Sequence, residues 1–231
     1  MKITKLSPRL ASAADFVRWG AVLADVGTDH AYLPLFLLES GKIEKAVCTD
    51  INKGPLDSAR RNAEELGLSD KIDFILTDGA GALSDIHITD VSVCGMGGEL
   101  IADIIERAPH LKDPDVRLIL QPMSKQSHLR RYLADNGFKI VEEKYTKEPR
   151  HAYVTILAAF TGEKYEISDI EAEIGKSPID FCDEARVKYV NMRASSLARA
   201  AEGKRKTGFE SREAELLQKI REIMKGEKND G

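Results

Sequence analysis

Cysteine, proline and long apolar runs are all scarce in this 231-residue chain. The three cysteines, Cys48, Cys94 and Cys182, are odd in number, far apart and never spaced as CxxC. Neither a disulfide framework nor a zinc site is expected, and no metal is assigned. No stretch approaches the 18 consecutive apolar residues of a membrane span. The segment MKITKLSPRLASAADFVRWG has scattered charges where a secretory signal would have an apolar core. Eight prolines and 17 glycines are too few for a collagen-like or low-complexity chain, and 42% hydrophobic residues are too many for disorder. The expectation is a soluble, cytoplasmic protein with no membrane partner, built as one large domain or one domain plus an appendage.

The net charge of −4 is unevenly spread. Residues 1–160 carry 20 Lys+Arg against 23 Asp+Glu, whereas Arg186 to Lys206 holds seven basic residues and only Glu202 as an acid. A local excess of six positive charges suits either a solvated helix face or a polyanion grip.

The first 160 residues alternate β-rich runs with helical stretches, the pattern of a parallel α/β sheet. The strand runs are 21–27, 45–51, 71–78, 91–97, 117–122, 138–146 and 151–160. Only KEPR separates the last two, so they should form an antiparallel hairpin at the end of a mostly parallel, Rossmann-like sheet. GPLDSARRNAEELG reads as an amphipathic helix with Gly67 as its stop. After Phe160 the strand signal ends. Two apolar stripes, Phe181 to Ala201 and Leu216 to Met224, with KRKTGFES between them, predict an α-helical, coiled-coil-like hairpin. A catalytic domain over 1–160 and a helical domain over 161–231 follow, and removal of the second is expected to leave the sheet folded. Trp19 is expected to be a packing anchor.

Four successive strands end in acids or glycines: Asp25 and Gly27, Asp50, Asp78 with Gly79, and Gly95-Met96-Gly97-Gly98. In open α/β sheets ligands bind at this rim. Glycine there lets a ligand approach the backbone, and an acid after the second strand is suited to ribose hydroxyls. A dinucleotide loop would read GxGxxG, but here Asp29 stands in the second glycine position. Its charge would repel a pyrophosphate and suits a cationic ligand such as S-adenosyl-L-methionine.

With DVGTDHAYLP, CTDIN, LTDGAGAL, CGMGGELI and RLILQP in this order, the chain resembles the bacterial tRNA (adenine-22-N1)-methyltransferases, the TrmK-like enzymes. The resemblance implies a class I methyltransferase fold and methyl transfer from S-adenosyl-L-methionine to N1 of an adenine in the D-arm region of tRNA. The cofactor would rest on Asp25, Val26, Gly27 and Thr28, on Asp50 and Ile51, on Asp78 and Gly79, and on Gly95, Met96 and Gly97.

N1 carries a lone pair, so it needs alignment more than deprotonation. The ring becomes cationic until N6 loses a proton, and a nearby carboxylate would stabilise the charge and accept that proton. N1 also lies on the pairing edge, so the base must be unpaired or extruded. Asp29 is the first catalytic candidate; cofactor binding or capping of the following helix are its alternatives. His30 and Tyr32 could stack on the base. The resemblance brings Gln121 and Pro122 near the target base and Arg9 over the site. In the tail, Arg186, Lys188 and Arg193 are assigned to tRNA phosphates, and a monomer is expected. A nicotinamide-dependent oxidoreductase is disfavoured by Asp29 and the missing glycines. A non-catalytic RNA-binding module is disfavoured by the intact Asp25, Gly27, Asp50 and Asp78.

Overall fold

The computed structural model describes residues 5–206 and 211–226. Helix α1 (Pro8–Phe16) precedes seven strands: β1 (Ala21–Val26), β2 (Ile43–Asp50), β3 (Ile72–Leu76), β4 (Asp90–Gly97), β5 (Arg117–Ser124), β6 (Phe138–Lys147) and β7 (Ala152–Phe160). Helices α2 (Tyr32–Glu39) and α3 (Lys53–Leu66) follow β1 and β2, and α4 (Gly98–Glu106) and α5 (Gln126–Asp135) follow β4 and β5. The C-terminal region holds α6 (Asp169–Ile174), α7 (Glu184–Lys206) and α8 (Arg212–Gly226). The expected linker KRKTGFES lies partly outside the described residues. No helix among the described residues is long and apolar enough to cross a membrane.

The strands form one sheet in the order β3-β2-β1-β4-β5-β7-β6. Every neighbour pair is parallel except those of β7, which runs antiparallel between β5 and β6. All seven expected strands are present. The hairpin folds inward, so its second strand meets β5 and its first becomes the edge. The period of two along each strand divides the core into two layers: Leu118 and Leu120 face one, Ile119 the other. On the side of Ile119, α1, α2 and α3 pack through Phe16, Leu35, Leu37, Ala59 and Ala63. On the other, α4 and α5 pack through Ile101, Ile105, Leu129 and Leu133. Helix α3 buries Leu56, Ala59 and Ala63 and ends at Gly67, whose φ of +66° closes it as its sequence predicts. Because β2 and β4 flank β1, the connections diverge there and leave a crevice at the carboxyl ends of β1 and β4.

Trp19 is not the packing anchor: it is 76% exposed. Arg18 holds that turn instead. Its backbone N–H and its Nε donate to the buried Asp90 carboxylate at 2.8 and 2.7 Å.

The core does not stop at Phe160. Tyr189, Val190 and Leu197 of α7 and Leu216, Leu217 and Ile220 of α8 belong to the same apolar cluster as Leu118, Val154 and Ile156. At this junction the Arg130 guanidinium is fully buried. Its Nε donates to Glu143 at 2.7 Å, and Nη1 donates to the Ala172 carbonyl at 2.8 Å and to the Tyr189 hydroxyl at 3.2 Å. The helices are therefore fused to the sheet through a dry, charged joint, and the boundary expected at 160 runs through the core.

Removing one partner of a buried ion pair strands the other charge. Arg130→Ala should lower stability by about 3–5 kcal/mol, read as a lower urea midpoint at an unchanged slope. A chain cut after Phe160 uncovers the apolar face of β6 and β7 as well and should fall further. A truncated chain as stable as the full one would mark the helices as an independent appendage.

Candidate functional site

A cavity of about 590 Å³ opens at the crevice, beneath α1. Arg9 and Leu10 of α1, Asp25 near the end of β1, Gly27 and Asp29 after it, Tyr32 of α2, and Gly95 and Met96 at the end of β4 line it. Asp25 is its deepest charge, 7% exposed. Thr28 Oγ1 and Ser92 Oγ each donate to one of its oxygens at 2.6 Å. Burial pushes the Asp25 carboxyl upward, and the two hydroxyl bonds pull against it. Ser92 was not singled out from the sequence; its signal is a polar residue inside the otherwise apolar run VSVCG.

The loop after β1 turns at Gly27, whose φ is +73°. A Cβ there would lie 1.8 Å from Met96 Cε, the movable end of a side chain, so it is the backbone angle that calls for glycine. The N–H groups of Gly27 and Thr28 both donate to the Thr49 carbonyl, at 2.8 and 2.9 Å. His30 and Ala31 follow at φ of +61° and +55°, strained for residues with a Cβ. Asn62 of α3 steadies them by donating from Nδ2 to the His30 carbonyl at 2.9 Å, a role its polar helix face does not advertise. Asp29 does not cap α2, whose first turn lacks a side-chain cap. Its side chain is 82% exposed, and Oδ1 lies 3.2 Å from His30 Nε2. The His30 and Tyr32 rings stack at 5.3 Å and 24°, forming an aromatic ledge at the mouth.

The other strand ends contribute unequally. Asp50 accepts the Asn52 N–H on Oδ1 at 2.7 Å, with Ile51 64% exposed beside it. Asp78 turns toward α4, where Arg107 holds it at 2.7 Å and keeps its carboxyl below the usual range. Gly79 follows at φ +77°, its carbonyl receiving the Thr49 hydroxyl at 3.2 Å. Val26 is buried in the core, so only its backbone faces the rim. The Thr28 side chain is spent on Asp25. Gly97 sits against Ser124 Oγ. Gln121 is fully buried under the cavity: Oε1 accepts from the Gly95 N–H at 3.1 Å and from Arg9 Nη1 at 3.3 Å. Nε2 donates at 3.5 Å to the thioether of Met123, a weak acceptor. Pro122 is buried on β5, and its carbonyl receives Gln126 Nε2 at 3.2 Å.

The three tail residues expected to grip phosphates are instead engaged inside the protein. Arg186 is 3% exposed, donates to the carbonyls of Ile174 and Ser177, and stacks 4.2 Å above the Tyr145 ring. Arg193 pairs with Glu173 and donates to Gln126 at 3.3 Å. Lys188 donates to the carbonyls of Glu148 and Pro149 at 2.6 and 3.0 Å. Their positive charge reads the same in a sequence whether it faces solvent or a ring of carbonyls. Among the described residues no group of three or more His, Cys, Asp or Glu side chains is arranged to hold a metal ion.

A family model described as a methyltransferase domain matches residues 6–157. Over 158 residues the chain is 35% identical to the tRNA (adenine(22)-N(1))-methyltransferase of Bacillus subtilis, a match spanning 68% of this chain and 66% of that enzyme. A structure of a candidate tRNA (m1A22) methyltransferase from Streptococcus pneumoniae, in complex with S-adenosyl-L-methionine, superposes with a TM-score of 0.82 at 33% identity. That match covers 95% of this chain and 99% of the other. M. capricolum TrmK in complex with S-adenosyl-homocysteine superposes with a TM-score of 0.76 at 26% identity, covering 95% of each chain.

Asp25 titrates higher in the folded chain than in the unfolded one, so it costs stability once pH rises through its folded value. Asp25→Asn removes that cost. Urea midpoints measured from pH 4 to 8 should show the variant gaining on the parent as pH rises. A constant difference across the range would mean that Asp25 titrates as it does unfolded.

Proposed function

The chain belongs to the methyltransferase-domain family and, within it, to the tRNA (m1A22) methyltransferases, and from that premise we propose how its own residues methylate N1 of adenine 22 in tRNA. When bound, S-adenosyl-L-methionine supplies a methyl group on a sulfonium, an electrophile that needs no further activation. The residues fit such a molecule. At Gly27 only the movable Met96 side-chain end stands against the backbone, and its displacement would admit a ligand there. The buried Asp25 carboxylate and the exposed Asp29 carboxylate give the cavity a negative wall for a cationic ligand. Asp50 keeps Oδ2 for ribose hydroxyls while Asn52 occupies Oδ1, and Ile51 offers an apolar edge for an adenine.

The observation that carries the reading is the meeting of Asp29 and Tyr32 in the wall of this one cavity. Tyr32, backed by His30, provides the ledge on which an extruded adenine can stack. Gln121 can exchange the Met123 thioether for a polar atom of the base. Stacking and hydrogen bonding fix the direction of the N1 lone pair, the main requirement of the step. Asp29 then stabilises the positive charge left on the ring and accepts the N6 proton, which water can remove because the carboxylate is exposed. Arg9, bonded to Gln121, places a cation where a phosphate next to the extruded base would pass. The same proposal includes a monomer acting in the cytoplasm without a metal.

Incubation with labelled S-adenosyl-L-methionine and unmodified tRNA, followed by nucleoside analysis, should give 1-methyladenosine at position 22. Label on guanosine or cytidine, or none, overturns the reading. Asp50→Ala should weaken S-adenosyl-homocysteine binding at least about tenfold, since each charge-assisted bond lost is worth about 1.5–3 kcal/mol; unchanged affinity in calorimetry would move the ribose elsewhere. Asp29→Asn should lower kcat by about 10²-fold or more while cofactor affinity is kept. If affinity falls and turnover at saturation does not, Asp29 is a cofactor ligand only.

A further inference from the structure

Arg186 and Arg193 are taken up by internal bonds and Lys188 is held on two carbonyls, which turns attention to the other cations of the surface. A groove of about 660 Å³ runs between the β6–β7 turn and α7, lined by Arg150 and His151 of the turn and by Phe181, Asn191, Ser195 and Arg199. The turn is tightly built: the Glu148 N–H donates to the His151 carbonyl at 2.8 Å. It is also pinned to α7, by Lys188 on two carbonyls, by the Lys147–Glu184 ion pair, and by the Ala152 N–H on Met192 Sδ at 3.0 Å. Glu184 is the single acid in the lining, and Lys147 neutralises it. Arg150 and Arg199 are exposed, and neither meets a carboxylate among the described residues. Lys188, Asn191, Ser195 and Arg199 recur every three or four residues along one face of α7, a track about 16 Å long.

The groove also lies at the right end of the molecule. Leu120 pairs with Ile156, and β7 is antiparallel to β5. Going back from Ile156 to Ala152 therefore leads toward the carboxyl end of β5, where Gln121 underlies the cavity. The turn projects from the same rim on which the cavity opens.

We propose that Arg150 and Arg199, on the two walls of this groove, hold the phosphate backbone of the tRNA while its adenine occupies the cavity. The inference rests on the tRNA reading above and adds the surface that orients the RNA. Phosphate contacts fix register without reading bases and carry a counterion-release signature in salt.

The test compares full-length chains: the parent, Arg150→Ala/Arg199→Ala, Arg150→Lys/Arg199→Lys, and Lys71→Ala/Arg117→Ala. The last pair removes two exposed charges where β3 and β5 begin, at the opposite rim. Affinity for unmodified tRNA is measured at several salt concentrations, with S-adenosyl-homocysteine affinity as the check that the cavity is intact. The groove alanine variant should bind tRNA about tenfold more weakly, and the slope of log affinity against log salt should fall by about 1.4–1.8, the value of two phosphate contacts. The tRNA KM should rise with kcat at saturation unchanged. The lysine variant and the opposite-rim control should stay near the parent. If the parent methylates tRNA but the groove variant matches the control in affinity and slope, the groove assignment falls while the function stands. If the parent neither binds nor methylates tRNA, both fall.

Discussion

A carboxylate held dry at the end of β1 is the constraint from which the site is built. Burying Asp25 without partners would be costly, so both of its oxygens are satisfied, by Thr28 and by Ser92. Thr28 reaches back only because the chain reverses at Gly27, and that reversal is locked by two N–H bonds to Thr49 on the neighbouring strand. The loop must then regain the helical direction in few residues. It does so through His30 and Ala31 in the left-handed region, about 1–3 kcal/mol of strain each. The bond from Asn62 helps hold that conformation. The path leaves Asp29 and Tyr32 at the cavity wall.

The opposite wall depends on one amide. Gln121 Oε1 receives both the Gly95 N–H and Arg9, so the floor of β4 and the covering helix α1 share an acceptor. Gly95, at φ +81° beside a break in the β4–β5 register, re-aims the strand end toward the cavity. Helix α1 is secured at its far end as well, where Lys144 of β6 pairs with Asp15 at 3.2 Å and sits over Phe16. The cover over the cavity is thereby tied to the hairpin whose tip forms the basic groove.

The seven strands and the rim of acids and glycines were legible because each is local. An apolar run with period two and an abrupt Asp or Gly needs only its neighbours to be read. Gly27 and the closing Gly67 carry their roles in their own chemistry. What stayed hidden is pairwise and distant. Ser92 bonds Asp25 across 67 positions, Gln121 meets Arg9 across 112, and Arg130 meets Tyr189 across 59. Trp19 went the other way: its large apolar side chain suggests burial, but Arg18 already anchors that turn on Asp90, and the ring is left outside.

The basic tract shows most clearly why charge counts mislead. Arginine carries a long apolar stem and a planar head with five donors, so it can be buried wherever carbonyls and carboxylates converge. Arg186 and Arg193 meet that condition at the joint around Glu173 and Ile174; Arg199, about two turns farther along α7, does not. The difference has a mechanical consequence. Methylation at N1 depends on alignment more than on activation, and alignment survives only if the surface that holds the RNA keeps a constant distance from the cavity. A flexible linker would surrender that constancy. A joint of buried ion pairs, costly to open because any unpaired member would be stranded, holds α7 and the β6–β7 turn in fixed register with the rim. The positive charges inside the tail thus act mechanically, by fixing the position of those outside it.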